Sequence, residues 1–532
     1  MTSTSATLDR SSAETVRSPR LFNAMLLMIV FIGGICSVAI ELSASRLLGP
    51  FFGTSTFIWA NLIGLTLLYL SIGYFVGGKI ADRWPSATLL YVFTALAGFA
   101  TGLIPLISHP ILEGSLTAFQ HLAVGAFYGS LVGVILLFAV PVSVLGFVSP
   151  FAIRLRVHSV SSAGNTAGSL YALSTVGSIL GSFLPVLVLI PWIGTYRTFY
   201  SLSITLLAAS AIALVVLRAR LPAAGALIMV VVVVLAAHFW TSAIVRPPEF
   251  GTLVHQEESD YNYIQVVKQN SAYMLVLNDG HAVHSIYDPT TEITGGPWDY
   301  FMLAPYFNRS ETPQDVHSAA LIGLAAGTIA RQLTTAYGPI PIDGVEIDPN
   351  IVRVGQQYFD MTEPNLNVIV QDGRYFLETT NKRYDLVGID AYQQPYIPFH
   401  LTTQQFFQQV RDHLTPNGVA IVNAGRTQTD YRLVDVIANT MKSVFPNVYI
   451  IDVDRYTNSI VIGTNQPTDI SNFAGNVNRL PPGLIRTVGE TSLQSGNVRE
   501  WTTLDRAQVF TDDWSPIERI VDSMIVDAAR GE

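Results

Sequence analysis

Several things are scarce in this sequence. Its 532 residues include one cysteine, Cys36, which excludes an intramolecular disulfide framework and a cysteine-built zinc site. Charged residues make up 13% of the chain, about half of the roughly 25% found in an ordinary soluble domain. Positive charge is the rarer sign, with 30 Lys and Arg against 39 Asp and Glu. An isoelectric point near 5.6 argues against a basic nucleic-acid binder, so no nucleic-acid partner is expected. A mean hydropathy of +0.39 excludes a disordered chain and argues against a single soluble globule.

What charge there is lies unevenly. Residues 21–245 hold eight Lys or Arg and three Asp or Glu, a local charge of +5. Residues 1–20 add +1 and read as a disordered, Ser/Thr-rich cytoplasmic tail, which leaves −15 for residues 246–532. The first part reads as a membrane module and the second as an acidic soluble one, joined near Arg246-Pro247-Pro248. Apolar runs near 22–45, 57–78, 87–107, 123–150, 167–190, 197–217 and 222–241 are long enough for a ~30 Å hydrocarbon core. They predict seven transmembrane helices over 21–245, with a kink or break at Pro141.

The predicted N-terminal tail and the loops on its side carry Arg10, Arg17, Arg20, Lys79, Arg83, Arg154, Arg156, Arg218 and Arg220; the opposite side carries Arg46, Arg197 and Arg246. The excess places the N-terminus in the cytoplasm of a multi-pass inner-membrane protein. Seven crossings would then put the acidic module outside.

Within the apolar part, Glu41 and Arg46 are charges at membrane depth, either functional or paired and snorkelling. Gly77–Arg83 looks like the short loop motif of major-facilitator transporters, or a tight turn with basic residues at the interface. Gly168, Ser174, Gly177, Gly181 and Ser182 suit close helix packing. No helix bears a chain of acids, so transport is only weakly indicated.

Beyond residue 250 the pattern changes. Tyr261–Lys268 and Ala272–Leu277 predict a β-hairpin within a 250–290 substrate-side subdomain, and Trp298–Phe307 reads as helical. Ser318–Gly323, Ile340–Glu346, Leu366–Val370, Tyr384–Asp390 and Gly418–Asn423 are short apolar runs of the buried parallel-strand type. Helical stretches at 327–336, 349–358, 403–414 and 429–443 separate them, and Asn447–Asp452 with Ser459–Gly463 predict a closing antiparallel pair. The expected fold over 291–532 is a doubly wound, Rossmann-like α/β domain of the S-adenosylmethionine-methyltransferase type, its ligand at the carboxyl ends of the strands.

Those ends carry informative residues. Strand one runs into Gly323-Leu324-Ala325-Ala326-Gly327, where small residues let backbone approach a nucleoside. Strand two ends in Glu346-Ile347-Asp348, with Glu346 at the interval where an acid bonds ribose hydroxyls. Strand three ends in Gln371-Asp372-Gly373-Arg374 and strand four in Asp390-Ala391-Tyr392. Each acid alone could be a helix cap; their joint placement is the stronger signal.

These residues resemble the spermidine synthases, the polyamine aminopropyltransferases, and within them the membrane-fused bacterial branch with a transporter-like N-terminal half. The likeness covers about 250–465 and rests on Ser259–Ile264, Leu277–Gly280, Val345–Pro349, Gln371–Gly373 and above all Tyr384–Phe407 (YDLVGIDAYQQPYIPFHLTTQQFF). Phe510–Glu518 (FTDDWSPIE) and Glu41–Arg46 look like further parts of that branch.

The resemblance implies transfer of an aminopropyl group from decarboxylated S-adenosylmethionine to an amine such as putrescine, without a metal. It implies Glu346 on the ribose, Asp372 at the adenine amino group, Gly323, Gly327 and Gly373 along the nucleoside, and Asn262 and Asp348 near the cofactor. Asp390 would be the catalytic base, with Asp279, Asp299, Tyr392 and Gln393 toward the amine. His400, His281 and His284 are alternative bases, and Arg331 and Arg374 the cations near the strand ends.

The sequence departs from the family where its glycine loop lacks an acid, where Gln393 replaces a second acid after strand four, and where Pro297-Trp298 replaces a Tyr-His or Tyr-Gln pair. The nucleoside half looks intact and the acceptor half rewritten. A methyltransferase using S-adenosylmethionine and a non-catalytic polyamine- or nucleoside-binding transporter or sensor stay open beside it, as does a homodimer. A sulfonium nucleoside is made in the cytoplasm, which favours that side for the soluble module, against the seven-crossing count.

Overall fold

The computed structural model describes residues 19–52, 56–119, 125–157, 159–239, 247–259, 261–278, 282–392 and 396–530. Of the positions singled out above, residues 1–18, Arg246, Asp279, Gly280, His281, Gln393 and Pro395 lie outside the described residues. The chain forms two compact units, the second of which holds all residues from Arg246 onward.

In the first unit, seven helices among the described residues are long and apolar enough to cross a membrane: Arg20–Gly49, Ile58–Arg83, Ala87–Ser115, Phe127–Arg156, Val160–Ile193, Thr195–Val216 and Arg220–Phe239. Their outward faces carry large apolar side chains such as Leu67, Phe75, Val140, Phe183 and Ile228, a surface suited to lipid rather than water. The helix containing Pro141 does not break there. It runs from Gly125 to Leu145, turns at Gly146 and Phe147, and resumes at Val148. A side chain at Gly146 would stand 3.0 Å from the Gly73 Cα and from the Leu70 carbonyl, so the break falls where two helices cross closely.

Gly77–Arg83, expected as a loop, is instead the last two turns of helix Thr56–Arg83, and Asp82 pairs with Arg154 at 3.2 Å. The stretch 151–166, also expected as a loop, is helical except at Val157, Ser159 and one residue not described. The small residues of the fifth span do pack closely. A Cβ on Gly177 or Gly181 would meet the Phe31 or Ile35 carbonyl oxygen at 2.3 or 2.2 Å, and the Ser178 hydroxyl donates to the Gly34 carbonyl at 3.2 Å.

The second unit begins with a four-stranded antiparallel sheet, β1 (Thr252–Glu258), β2 (Tyr263–Gln269), β3 (Ala272–Leu277) and β4 (Val283–Tyr287), ordered β1-β2-β3-β4. The expected hairpin is its centre. Gln269 pairs with Ala272 across the two-residue turn Asn270-Ser271, with Asn270 at φ +56°. Pro297–Phe307 follows as a fully buried 3₁₀ segment, not an α-helix.

The second sheet holds β5 (Ala319–Ile322), β6 (Ile342–Glu346), β7 (Leu366–Val370), β8 (Tyr384–Ile389), β9 (Leu414–Gly425), β10 (Asn447–Asp452), β11 (Asn458–Thr464) and β12 (Val498–Trp501). Its order is β12-β10-β11-β9-β8-β5-β6-β7. Strands β5 to β9 pair in parallel; β11, β10 and β12 extend the sheet antiparallel.

Successive strand residues point to opposite faces. Accordingly Leu321, Leu386, Ile421 and Ile460 join a core with Phe301, Leu303 and Phe307 on one face. Their neighbours Ile322, Val387, Val422 and Val461 join another with Phe406, Phe407 and Ile437. The chain winds outward from β5 through β6 to β7 and returns to β8 on the other side of β5. The switch point is therefore the β5/β8 boundary, where an open α/β sheet opens a crevice at its carboxyl edge.

Candidate active site

Gly323 and Asp390 meet at that switch point. Gly323 follows β5 with φ +88°, and a Cβ there would lie 2.4 Å from the Asp390 carbonyl oxygen, so both conformation and space require glycine. Gly327, at φ +89°, packs on Met361, and Gly373 packs on Ile322; a Cβ would stand 2.6 and 2.3 Å away. Ala325 adopts φ +48° between them, an uncommon conformation for a residue with a Cβ. Two side chains brace this turn: Glu346 Oε2 accepts from the Ala325 N–H at 2.9 Å, and Ser285 Oγ from the Ala326 N–H at 3.0 Å. The second bond ties the first sheet to the loop.

Glu346 is 8% exposed, and its Oε1 also accepts from the Asp348 N–H at 3.1 Å. Burial pushes its carboxyl up to about 7, against the opposing effect of these N–H donors. Asp348 is fully buried. It caps helix Pro349–Tyr358 through Asn350 and accepts from Ser259 at 2.5 Å and Asn262 at 2.9 Å. Its carboxylate thus holds Asn262, whose Oδ1 accepts from Asn278 at 3.0 Å. Asp372 caps helix Gly373–Thr379 through the Arg374 and Tyr375 N–H groups, both at 2.9 Å, and its other oxygen faces His400 Nε2 at 3.3 Å. Arg374 bonds Asp512 in bidentate fashion at 2.7 Å and donates to the His400 carbonyl at 3.2 Å.

The β8 side is built differently. Asp390 accepts from Asn423 Nδ2 at 2.9 Å, and the Trp298 indole acts on it electrostatically. Asn423 is held in turn by Asn458 Nδ2 at 3.0 Å, and the Tyr392 hydroxyl donates to the Asn423 carbonyl at 3.0 Å. Burial pushes the Asp390 carboxyl up to about 6, offset in part by Asn423 and Trp298. The Tyr392 hydroxyl is raised by burial and by the Asp390 charge. Such a carboxylate is ionised at neutral pH yet more basic than an ordinary aspartate, which suits it to take a proton.

Asp299, expected to hold an ammonium, is 1% exposed and faces the other way. Neighbours in a 3₁₀ segment project about a third of a turn apart, so Trp298 points toward Asp390 while Asp299 does not. Its carboxylate accepts from the Thr294 N–H at 3.1 Å, Thr294 Oγ1 at 2.6 Å, Gln332 Nε2 at 2.5 Å and the Gly295 N–H at 2.7 Å.

Sequence reasoning missed Asn423, whose signal was one polar residue inside the apolar run of β9. It also missed that Trp298 acts on Asp390 across 92 positions of sequence. Among the described residues no cluster of three or more His, Cys, Asp or Glu could hold a metal ion.

A braced glycine turn at the switch point, with an acid at the end of each of three strands, defines a doubly wound α/β domain whose candidate ligand site lies at the carboxyl edge of the sheet. Residues 310–471 match the spermine/spermidine synthase domain. A probable polyamine aminopropyl transferase of Bifidobacterium longum is 30% identical over 296 residues, 52% of this chain and 65% of that protein. A polyamine aminopropyltransferase of Vibrio vulnificus is 26% identical over 281 residues, 50% of this chain and 90% of that one. The crystal structure of a probable spermidine synthase from Corynebacterium glutamicum aligns with a TM-score of 0.37 at 20% identity, covering 47% of this chain and 90% of that one. The C-terminal half of the chain carries a domain of the spermine/spermidine synthase family.

Proposed function

We propose that this protein is a membrane-anchored aminopropyltransferase that uses decarboxylated S-adenosylmethionine as donor and an amine as acceptor. The observation that carries the reading is Asp390, desolvated and held by Asn423 beside the glycine turn at the switch point. The amine nitrogen attacks the propyl carbon next to the sulfonium, the carbon–sulfur bond breaks, and the neutral thioether 5′-methylthioadenosine leaves. The donor supplies the electrophile. The protein aligns the nucleophile and removes the proton that an alkylammonium, with a pKa near ~10, holds at neutral pH. Asp390 takes that proton. Glu346 receives the ribose hydroxyls, Asp372 the adenine amino group, and Asn262 the donor's far side, with Asp348 acting through Asn262. No metal enters the reaction as proposed.

The seven apolar helices anchor the domain to a bilayer. An odd number of crossings puts the chain's two ends on opposite faces; we place the α/β domain in the cytoplasm, where its donor is made, against the charge bias that favours a cytoplasmic N-terminus. A reporter fused after Glu532 that is active only outside the cytoplasm overturns that placement.

The reading is tested by incubating the full chain in detergent with decarboxylated S-adenosylmethionine and amines, and measuring 5′-methylthioadenosine together with the aminopropylated amine. Product in the wild type and its loss in Asp390→Asn are expected. Equal turnover in the two removes Asp390 as base.

A further inference from the structure

Three neighbouring strands set polar residues in one row. β8 pairs Ile389 with Val422 of β9, so the next positions, Asp390 and Asn423, stand side by side. β9 pairs antiparallel with β11, Gly425 against Asn458 and Asn423 against Ile460. Alternate residues of a strand share a face, so Asn423 and Asn458 are diagonal neighbours on the face of Asp390. Further along, that face is apolar, with Leu386, Ile421 and Ile460 in its core.

The row has one chemical direction. An ionised carboxylate only accepts hydrogen bonds, so Asn423 must turn its amide nitrogen to Asp390, which it does at 2.9 Å. Its Oδ1 then points along the sheet and accepts from Asn458 Nδ2 at 3.0 Å. Both backbones are pinned: the Asn423 carbonyl accepts from the Tyr392 hydroxyl at 3.0 Å, and the Asn458 carbonyl from Arg426 Nε at 3.3 Å. A half-turn of the Asn423 amide would set its oxygen against the Asp390 carboxylate, leaving buried acceptors without donors. The donor at Asn458 opposes that turn.

No charged partner does the same work on the segments packed against Asp390. The glycine turn meets it with the backbone of Gly323. On the 3₁₀ segment Trp298 acts on it, while Asp299 bonds Thr294, Gly295 and Gln332. On its own side of the sheet Tyr392 feels its charge. Beside Asn458, Arg426 is engaged with the Asn458, Thr427 and Val453 carbonyls.

Resting on the aminopropyl-transfer reading, we propose that Asn458 is a positioning residue for the reaction: it orients the Asn423 amide so that Asp390 meets the amine as a proton acceptor. The ammonium proton passes to Asp390, the freed nitrogen forms its bond to the propyl carbon, and the carbon–sulfur electrons leave with the thioether. Asn458 itself touches neither substrate.

The test measures kcat for 5′-methylthioadenosine release by the full chain in detergent, from about pH 5 to pH 9. Asn458→Leu removes the donor and is expected to raise the acidic limb by about half a pH unit; Asn458→Asp, of the same shape but an acceptor, raises it by about one unit or more, a roughly tenfold lower rate on the limb. The plateau at high pH stays within about twofold of wild type, because Asp390 ionises there in every variant. In an Asn423→Leu chain, which has no amide to orient, Asn458→Leu is expected to shift nothing further. Donor affinity by calorimetry stays unchanged, which separates orientation from misfolding; Asn458→Ala carries the same prediction where the leucine unfolds the chain.

An unmoved limb in Asn458→Leu overturns the proposal, as does an equal shift with and without Asn423. A limb that moves in Asn458→Asp alone reports added charge and overturns it too. Each of these leaves the transferase reading standing. A wild-type chain that releases no thioether with any amine removes that reading, and the role of Asn458 with it.

Discussion

The two sides of the crevice solve different problems with the same residue type. On the β5–β7 side the acids also hold the protein together: Glu346 braces the glycine turn, Asp348 fixes Asn262 and caps a helix, and Asp372 caps another. On the β8–β9 side one acid, Asp390, is held by the uncharged Asn423 amide, with Trp298 and Tyr392 acting nearby. Asp348 and Asp372, each capping a helix through backbone N–H groups, are tied into the fold. A carboxylate held by neutral donors in a poorly solvated place can change its proton. In the proposed reading, binding belongs to the first side and chemistry to the second.

The largest effect expected to sharpen that contrast is at Asp390. Asp390→Asn is expected to lower kcat by roughly 10²–10⁴-fold, the usual worth of a positioned general base, while donor affinity changes little. Comparable losses in kcat and affinity would break the contrast. Glu346→Gln is expected to do the opposite. It weakens donor binding by roughly 10–100-fold, the scale of a hydrogen bond to a charged group, with kcat at saturation nearly retained, as read by calorimetry beside steady-state rates.

Titration gives a third, graded test. Asp390 accepts a proton only when ionised, so with its carboxyl near 6 the rate falls about tenfold per pH unit below that value and levels off above it. A limb set by an ordinary aspartate, near 4, would contradict the burial. Stability runs the other way. The folded chain holds the Glu346 proton more tightly than the unfolded chain does, 4.5 becoming about 7. Ligand-free stability therefore declines as pH rises between those values, and Glu346→Gln removes that part of the slope in thermal melts. The smallest effect is at the Arg374–Asp512 pair, whose partners are 17% and 43% exposed. Arg374→Met is expected to cost about 1 kcal/mol or less and to raise KM for the donor a few-fold without touching kcat.

Much of the α/β domain was legible because strand periodicity and burial agree there. Leu366–Val370 and Asn447–Asp452 are strands with the predicted bounds. The strands at the rim of the first sheet were not. Thr252–Glu258 is exposed or half-buried along its length and ends in His255-Gln256-Glu257-Glu258, which carries no apolar alternation. Helix Gly373–Thr379 spans two turns, too few for a 3.6-residue period to declare itself. The helices Ser471–Val477, Leu484–Gln494 and Ile517–Arg530 also went unread.

The site divides similarly. Acids after successive strands are visible in one dimension because the fold repeats, so Glu346, Asp372 and Asp390 could be marked. What each acid touches could not be: that Asp299 turns to Thr294 and Gln332 while Trp298 turns to Asp390 depends on a 3₁₀ rather than an α-helical twist over Pro297–Phe307.

One measurement bears most directly on the account. The full-length protein is given an amine with either decarboxylated S-adenosylmethionine or S-adenosylmethionine, and the nucleoside products are separated. The account predicts 5′-methylthioadenosine, released one for one with an aminopropylated amine, from the decarboxylated donor. S-adenosylhomocysteine and a methylated amine from the carboxylated donor would contradict it.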